Sequence, residues 1–127
     1  MDLLLDTHIW IWMTLEPARL SNRVARALQD LENPPISVWE LLMLTRRQRV
    51  RLNEDAVTWA RRTIGTLGLS EATLTSDVAL EVSSLRLFQG DSADRLLAAT
   101  AKVFDLTLVT ADNKLIGAPG LKVLANR

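Results

Sequence analysis

The 127-residue chain contains no cysteine and one histidine, His8. Disulfides and thiolate metal sites are excluded outright. The absence of thiols is compatible with a reducing cytosol, and a cytoplasmic location is expected. Net charge is also lacking: 15 basic and 15 acidic residues cancel. No global field draws the chain to nucleic acid, so any such binding has to rest on a local basic patch. No apolar run approaches the length of a membrane span. The segment Met1-Asp2-Leu3-Leu4-Leu5-Asp6 has no basic n-region and does not read as a signal peptide. Internal repeats, low-complexity tracts and linkers are missing too, and the length suggests one domain over residues 1–127.

What is present is a chain that is 48% hydrophobic, enough for a sizeable core, in which short apolar runs alternate with helical periodicity. Leu3-Leu4-Leu5, closed by Asp6, reads as a buried parallel strand. Asp6-Thr7 opens a helix through Ile9-Trp10-Ile11-Trp12-Met13 that Pro17 ends. Ser21 suits the N-cap of a second helix carrying Val24, Ala25, Leu28 and Leu31. After Asn33-Pro34-Pro35, Ile36-Ser37-Val38 is expected as a second strand and Trp39 to Thr45 as a helix. Asn53 is expected to cap a helix with Ala56, Val57, Ala60, Ile64 and Leu67 on one face. A third strand is expected near Ala72–Leu74 and a helix from Ser76-Asp77. A long apolar helix then runs to about Phe104. Leu106–Val109 and Leu121–Leu124 complete the strands. This alternation predicts an α/β fold, a parallel sheet covered on both faces.

Four acids fall at carboxyl ends of these strands or in the helix turns beside them: Asp6, Glu40, Asp94 and Asp112. In an open parallel sheet those positions gather along one edge, where ligands bind. Each acid alone has a plainer use, since carboxylates at helix N-termini accept from free backbone N–H groups. Ser37-Val38-Trp39-Glu40 fits a capping box, Asp91 suits an N-cap, and Asp112 with Asn113-Lys114 fits an Asx turn. Taken jointly, several carboxylates at one edge without cysteine make an oxygen-rich site. Oxygen donors select Mg²⁺ or Mn²⁺ over zinc, and such a site can activate water against a phosphodiester.

The ordered set Leu3-Leu4-Leu5-Asp6-Thr7-His8, Ser37-Val38-Trp39-Glu40-Leu41, Asp91 to Ala101 and Leu108-Val109-Thr110-Ala111-Asp112 resembles the PIN-domain ribonucleases, and more narrowly the VapC toxins of toxin–antitoxin pairs. The resemblance covers nearly the whole chain. It implies a PIN-like three-layer α/β/α sandwich around a short parallel sheet. It also implies a Mg²⁺- or Mn²⁺-dependent endoribonuclease acting on tRNA or rRNA. By position, Asp6, Glu40, Asp94 and Asp112 would be the catalytic acids. Asp6, Asp94 and Asp112 would be direct or water-bridged metal ligands, and Glu40 would help hold the metal or orient the attacking water. Thr7 and Thr110 would supply nearby hydroxyls. A VapB-type antitoxin and a homodimer are the partners implied. The chain departs from many relatives in having Ser92 between the two acids of the Asp91–Asp94 segment and Gln89-Gly90 before them, which removes no acid.

His8 reads as positioning the loop after the first strand. Trp10, Trp12 and Trp39 read as core or interface, and the surplus apolar surface of residues 9–13 suggests a groove for an antitoxin helix or a second copy. Arg46, Arg47, Arg49 and Arg51 form either a solvated face or an RNA phosphate contact, and Arg95 suits an ion pair with Asp94. Three rivals stand beside the ribonuclease reading. A phosphoreceiver module lacks its acid pair and terminal lysine here. A catalytically silent PIN-like RNA- or protein-binding module would lose one of the four acids. A DNA-directed nuclease would share the chemistry.

Overall fold

A computed structural model describes residues 2–29, 34–48, 50–85 and 92–127. The expected N-caps at Asp91 and the expected contacts of Leu31 and Arg49 lie outside them. Among the described residues, five parallel strands run in the order β3-β2-β1-β4-β5. β1 is Leu3–Leu5, β2 Pro35–Ile36, β3 Ser70–Glu71, β4 Thr107–Thr110 and β5 Val123–Ala125. The chain leaves the central β1 for β2 and β3 on one side, then returns to build β4 and β5 on the other. The reversal between β1 and β4 is the topological switch point, where α/β sheets bind ligands.

Successive strand residues point to opposite faces, and the two cores divide accordingly. Leu3 and Leu5 join Ile9, Trp10, Leu41, Trp59 and Val109 on one face. Leu4 joins Leu97, Ala98, Ala101, Leu108 and Leu115 on the other. Helices α1 (Thr7–Leu15), α2 (Asn22–Gln29), α3 (Val38–Arg46) and α4 (Ala56–Leu67) contribute to the first core. α6 (Ser92–Val103) and α7 (Asn113–Ile116) contribute to the second, and α5 (Ser76–Val82) packs on α6. This is the expected α/β/α layering. No helix among the described residues is long and apolar enough to cross a membrane.

Side-chain caps set several helix starts, and several expected boundaries are corrected. Val38 is not in a strand. The Ser37 hydroxyl accepts from the Glu40 N–H at 3.1 Å, which makes Ser37 the N-cap and Val38 the first helical residue. α4 is capped by Asp55, which accepts from the Thr58 N–H at 3.2 Å, rather than by Asn53. Its buried stripe is Trp59, Ala60 and Thr63, while Val57 and Leu67 are exposed. Gly68 ends α4 at φ 65°, a left-handed conformation that favours glycine. β3 lies at Ser70–Glu71, ahead of the expected Ala72–Leu74. The last two strands each begin later than expected, at Thr107 and Val123.

The apolar surplus of α1 is largely consumed inside the molecule. Trp10 is fully buried, its ring 4.9 Å from that of Trp59, and its indole N–H donates to the Thr63 hydroxyl at 3.0 Å. Trp12 and Met13 are partly buried against the same core, whereas Trp39 is half exposed.

Candidate active site

Strand register brings the site together. Leu5 pairs with Ile36 on one side and Val109 on the other. The next residues, Asp6, Ser37 and Thr110, therefore stand abreast at the carboxyl edge. Asp6 sits where β1 becomes α1. Its N–H still donates to the Val109 carbonyl at 3.0 Å, while its carboxylate caps α1 by accepting from the His8 N–H at 3.3 Å. The Thr110 hydroxyl donates to the second Asp6 oxygen at 2.5 Å. The same hydroxyl oxygen accepts from the Asp112 N–H at 3.1 Å, so Thr110 links the turn carrying Asp112 to the Asp6 carboxylate.

Glu40 completes only half of the expected capping box. Ser37 caps the Glu40 N–H, but the Glu40 carboxylate turns across the sheet edge to α1. Its Oε1 accepts from the Thr7 N–H at 3.0 Å and also from the Thr7 hydroxyl. Two carboxylates thus serve the N-terminus of one helix, which its free N–H groups and positive dipole end favour. All four of these groups, Asp6, Thr7, Glu40 and Thr110, are buried.

Burial opposes charge at both acids. It pushes the Asp6 carboxyl above its ordinary value, against the Thr110 hydroxyl and His8, which favour the ionised form. Nearby Asp112 adds to the rise. Glu40 is pushed well above the usual range by burial first and then by the negative charge of Asp6, with Asp94 contributing. Asp6 thus responds to Asp112, and Glu40 to Asp6 and Asp94.

Asp6, Glu40, Asp94 and Asp112 line a single cavity of about 270 Å³. Asp94 reaches it from the first turn of α6 and Asp112 from the N-cap of α7, where it accepts from the Lys114 N–H at 3.0 Å. The Asx-turn geometry and the place at the cavity hold together for Asp112. Three further residues line the cavity: His8, Leu44 and Lys114. Leu44 stands one turn beyond Glu40 on α3, a spacing that puts both on one face, and the sequence could have supplied it. Lys114 had no sequence signal beyond its place two residues after Asp112. His8 Nδ1 lies 3.9 Å from Asp6, an electrostatic contact longer than a hydrogen bond.

The four carboxylates offer oxygen donors, which suit a hard dication such as Mg²⁺. Among the described residues no three acid or imidazole groups are drawn together tightly enough to hold an ion unaided.

The fold and this edge define the class. The PIN-domain family model matches residues 3–121. The chain belongs to the PIN-domain family and, within it, to the VapC type. It is 35% identical over 118 residues to Ribonuclease VapC22 of Mycobacterium tuberculosis, spanning 88% of each chain. Among solved structures, the fold is similar to VapBC2 from Rickettsia felis bound to a promoter DNA fragment, with a TM-score of 0.72, 17% identity and 98% of each chain covered. The DNA-bound VapBC from Salmonella typhimurium aligns with a TM-score of 0.68 and 18% identity, covering 100% of this chain and 99% of that one.

Proposed function

We propose that this protein is a divalent-metal-dependent endoribonuclease, the toxin of a VapBC-type pair, cutting phosphodiesters of RNA such as tRNA or rRNA. One observation carries the reading: four carboxylates from four separate segments line one cavity at the switch point of a PIN fold. The similarity to a ribonuclease over most of both chains supports it. Asp6, Asp94 and Asp112 would hold Mg²⁺ or Mn²⁺, directly or through water. The ion would supply an activated water and neutralise charge on the phosphate. Asp6 is held in one orientation by Thr110 and the start of α1, so it needs little reorganisation to receive a cation. Glu40, fixed by Thr7, lines the same cavity and would help hold the metal or orient the attacking water. Lys114, which lines the same cavity, would meet a phosphate oxygen. The similarity to VapBC complexes supports a protein antitoxin as partner, with a homodimer and a cytoplasmic site of action as the accompanying expectations.

The test is incubation of purified protein with total RNA, in Mn²⁺ and in chelator, beside the Asp94→Asn variant. Discrete fragments that require the metal and vanish in the variant are expected. Equal cleavage by the variant would remove Asp94 from the site. Absence of cleavage by folded, antitoxin-free protein across structured and unstructured RNA would contradict the ribonuclease reading.

A further inference from the structure

A second cavity of about 230 Å³ adjoins the first and shares Asp6, His8 and Asp112 with it. Its remaining walls are Trp12 and Ala111. His8 and Trp12 are four residues apart on α1 and so share a face. Their rings lie 5.9 Å apart at 57°. The His8 side chain is 45% exposed while the Asp6 beside it is 8% exposed, so the imidazole stands at the open boundary between the two cavities. The Arg19 guanidinium lies 4.3 Å from the Trp12 ring centroid, a cation–π contact that holds the indole from outside the cavity. The turn carrying Arg19 is itself anchored. Asn126 donates to the Arg19 carbonyl at 3.1 Å and accepts from the Ser21 N–H at 2.6 Å, while Arg23 donates to the Ala125 carbonyl at 3.2 Å. The aromatic wall is thus tied to the end of β5.

The acid cavity shares His8 but is not lined by Trp12 or Arg19. Its work requires neither an indole nor a clamp behind it. Unpaired RNA bases, by contrast, are bound by stacking on aromatic side chains and Arg planes. The volume is below the range of drug-sized pockets, so it fits one flat ring system. We propose that the cavity between His8 and Trp12 is a subsite for one unpaired nucleobase of the RNA, the nucleotide flanking the phosphodiester at the acids. The inference rests on the ribonuclease reading above. Trp12 supplies the stacking surface, and His8 borders both base and phosphate.

Two measurements test it. Single-stranded RNA hexamers, each with 2-aminopurine at one position, are bound to the Asp94→Asn protein in Mn²⁺. One position should lose fluorescence on binding. Adding Trp12→Ala should abolish that loss, whereas Trp39→Ala, at the exposed tryptophan, should not. Separately, wild-type protein is given a cleavable RNA and the same RNA made abasic beside the cut. The abasic form should lose about tenfold in kcat/KM, carried by KM, as expected for one stacked base. This second measurement needs no variant and stands even if Trp12→Ala unfolds. Efficient cleavage with equal kcat/KM for abasic and intact RNA would overturn the subsite and leave the ribonuclease reading in place. RNA that is neither bound nor cut would overturn both. If Trp12→Ala left RNA kinetics unchanged but weakened antitoxin capture, the cavity would be a protein contact and the proposal would fail.

Discussion

The acid edge has two unlike halves. Asp6 and Glu40 are buried, fixed by Thr110 and Thr7, and pushed up in pKa. Asp94 and Asp112 are only partly buried, and each starts a helix on the other side of the cavity. The buried pair is costly to ionise and has little freedom to move. The open pair keeps contact with water. The difference teaches that the edge has two environments: one half is locked by neighbouring hydroxyl and N–H donors, and the other stays open to solvent.

Activity is where the two halves should converge. Asp6→Asn and Asp112→Asn should each lower metal-dependent RNA cleavage by more than ~100-fold, since even residues supporting metal ligands cost 10–100-fold. Initial rates on a fixed RNA check this. A mild effect at Asp112 would confine the chemistry to the buried half.

Stability should separate them. Glu40→Ala leaves the buried Thr7 N–H and hydroxyl without their acceptor and should cost about 2–3 kcal/mol in urea unfolding. Glu40→Gln keeps an acceptor oxygen but removes the buried charge. It should be at least as stable as wild type at neutral pH without metal. A Gln variant as unstable as the Ala variant would show that the charge itself holds α1 and α3 together.

Acidity gives a third contrast. The folded pKa values of Asp6 and Glu40 lie above the unfolded ones, so the folded chain binds protons that the unfolded chain has released. Metal-free stability should rise as pH falls through those raised values toward the ordinary carboxylate pKa of about 4, and decline as pH rises. Glu40→Gln should flatten that slope. Urea melts across pH check both, and a wild-type slope of opposite sign would contradict the buried-pair account.

Smaller effects sharpen the picture of the buried half. Thr110→Val removes the donor to Asp6 and the acceptor for the Asp112 N–H, at about 1–2 kcal/mol near neutral pH. Deeper in the core, Trp10→Phe should cost about 1 kcal/mol more than Trp59→Phe. The Trp10 N–H is bonded to Thr63, whereas the buried Trp59 N–H has no partner among the described residues. Thermal melts of the two variants decide it.

Much of this was legible in the sequence, for identifiable reasons. Leu3-Leu4-Leu5 could be placed because it feeds both cores, and an acid at once follows it. The gathering of Asp6, Glu40, Asp94 and Asp112 followed from the topology of parallel sheets. The fate of the Glu40 carboxylate did not. Its partner, Thr7, is 33 residues away, and only the strand register sets them side by side. Val38 reads as strand because it is β-branched and stands two residues after Ile36, in strand alternation, while the Ser37 cap, a local hydrogen bond, decides for helix. The buried stripe of α4 departs from the apolar pattern because it includes the polar Thr63. It is buried as the partner of the Trp10 indole, a pairing no periodicity reveals. The Trp12 wall depends on Arg19 and Asn126, from opposite ends of the chain.

The most direct test of the two-halves account is a Mn²⁺ titration followed by thermal unfolding at neutral pH, for wild type, Glu40→Gln and Asp112→Asn. The account predicts that millimolar Mn²⁺ raises the wild-type melting temperature by mass action on the folded state. It predicts that Asp112→Asn loses most of the rise without losing metal-free stability, and that Glu40→Gln starts from a higher metal-free value. No rise in wild type, or an undiminished rise in Asp112→Asn, would contradict it.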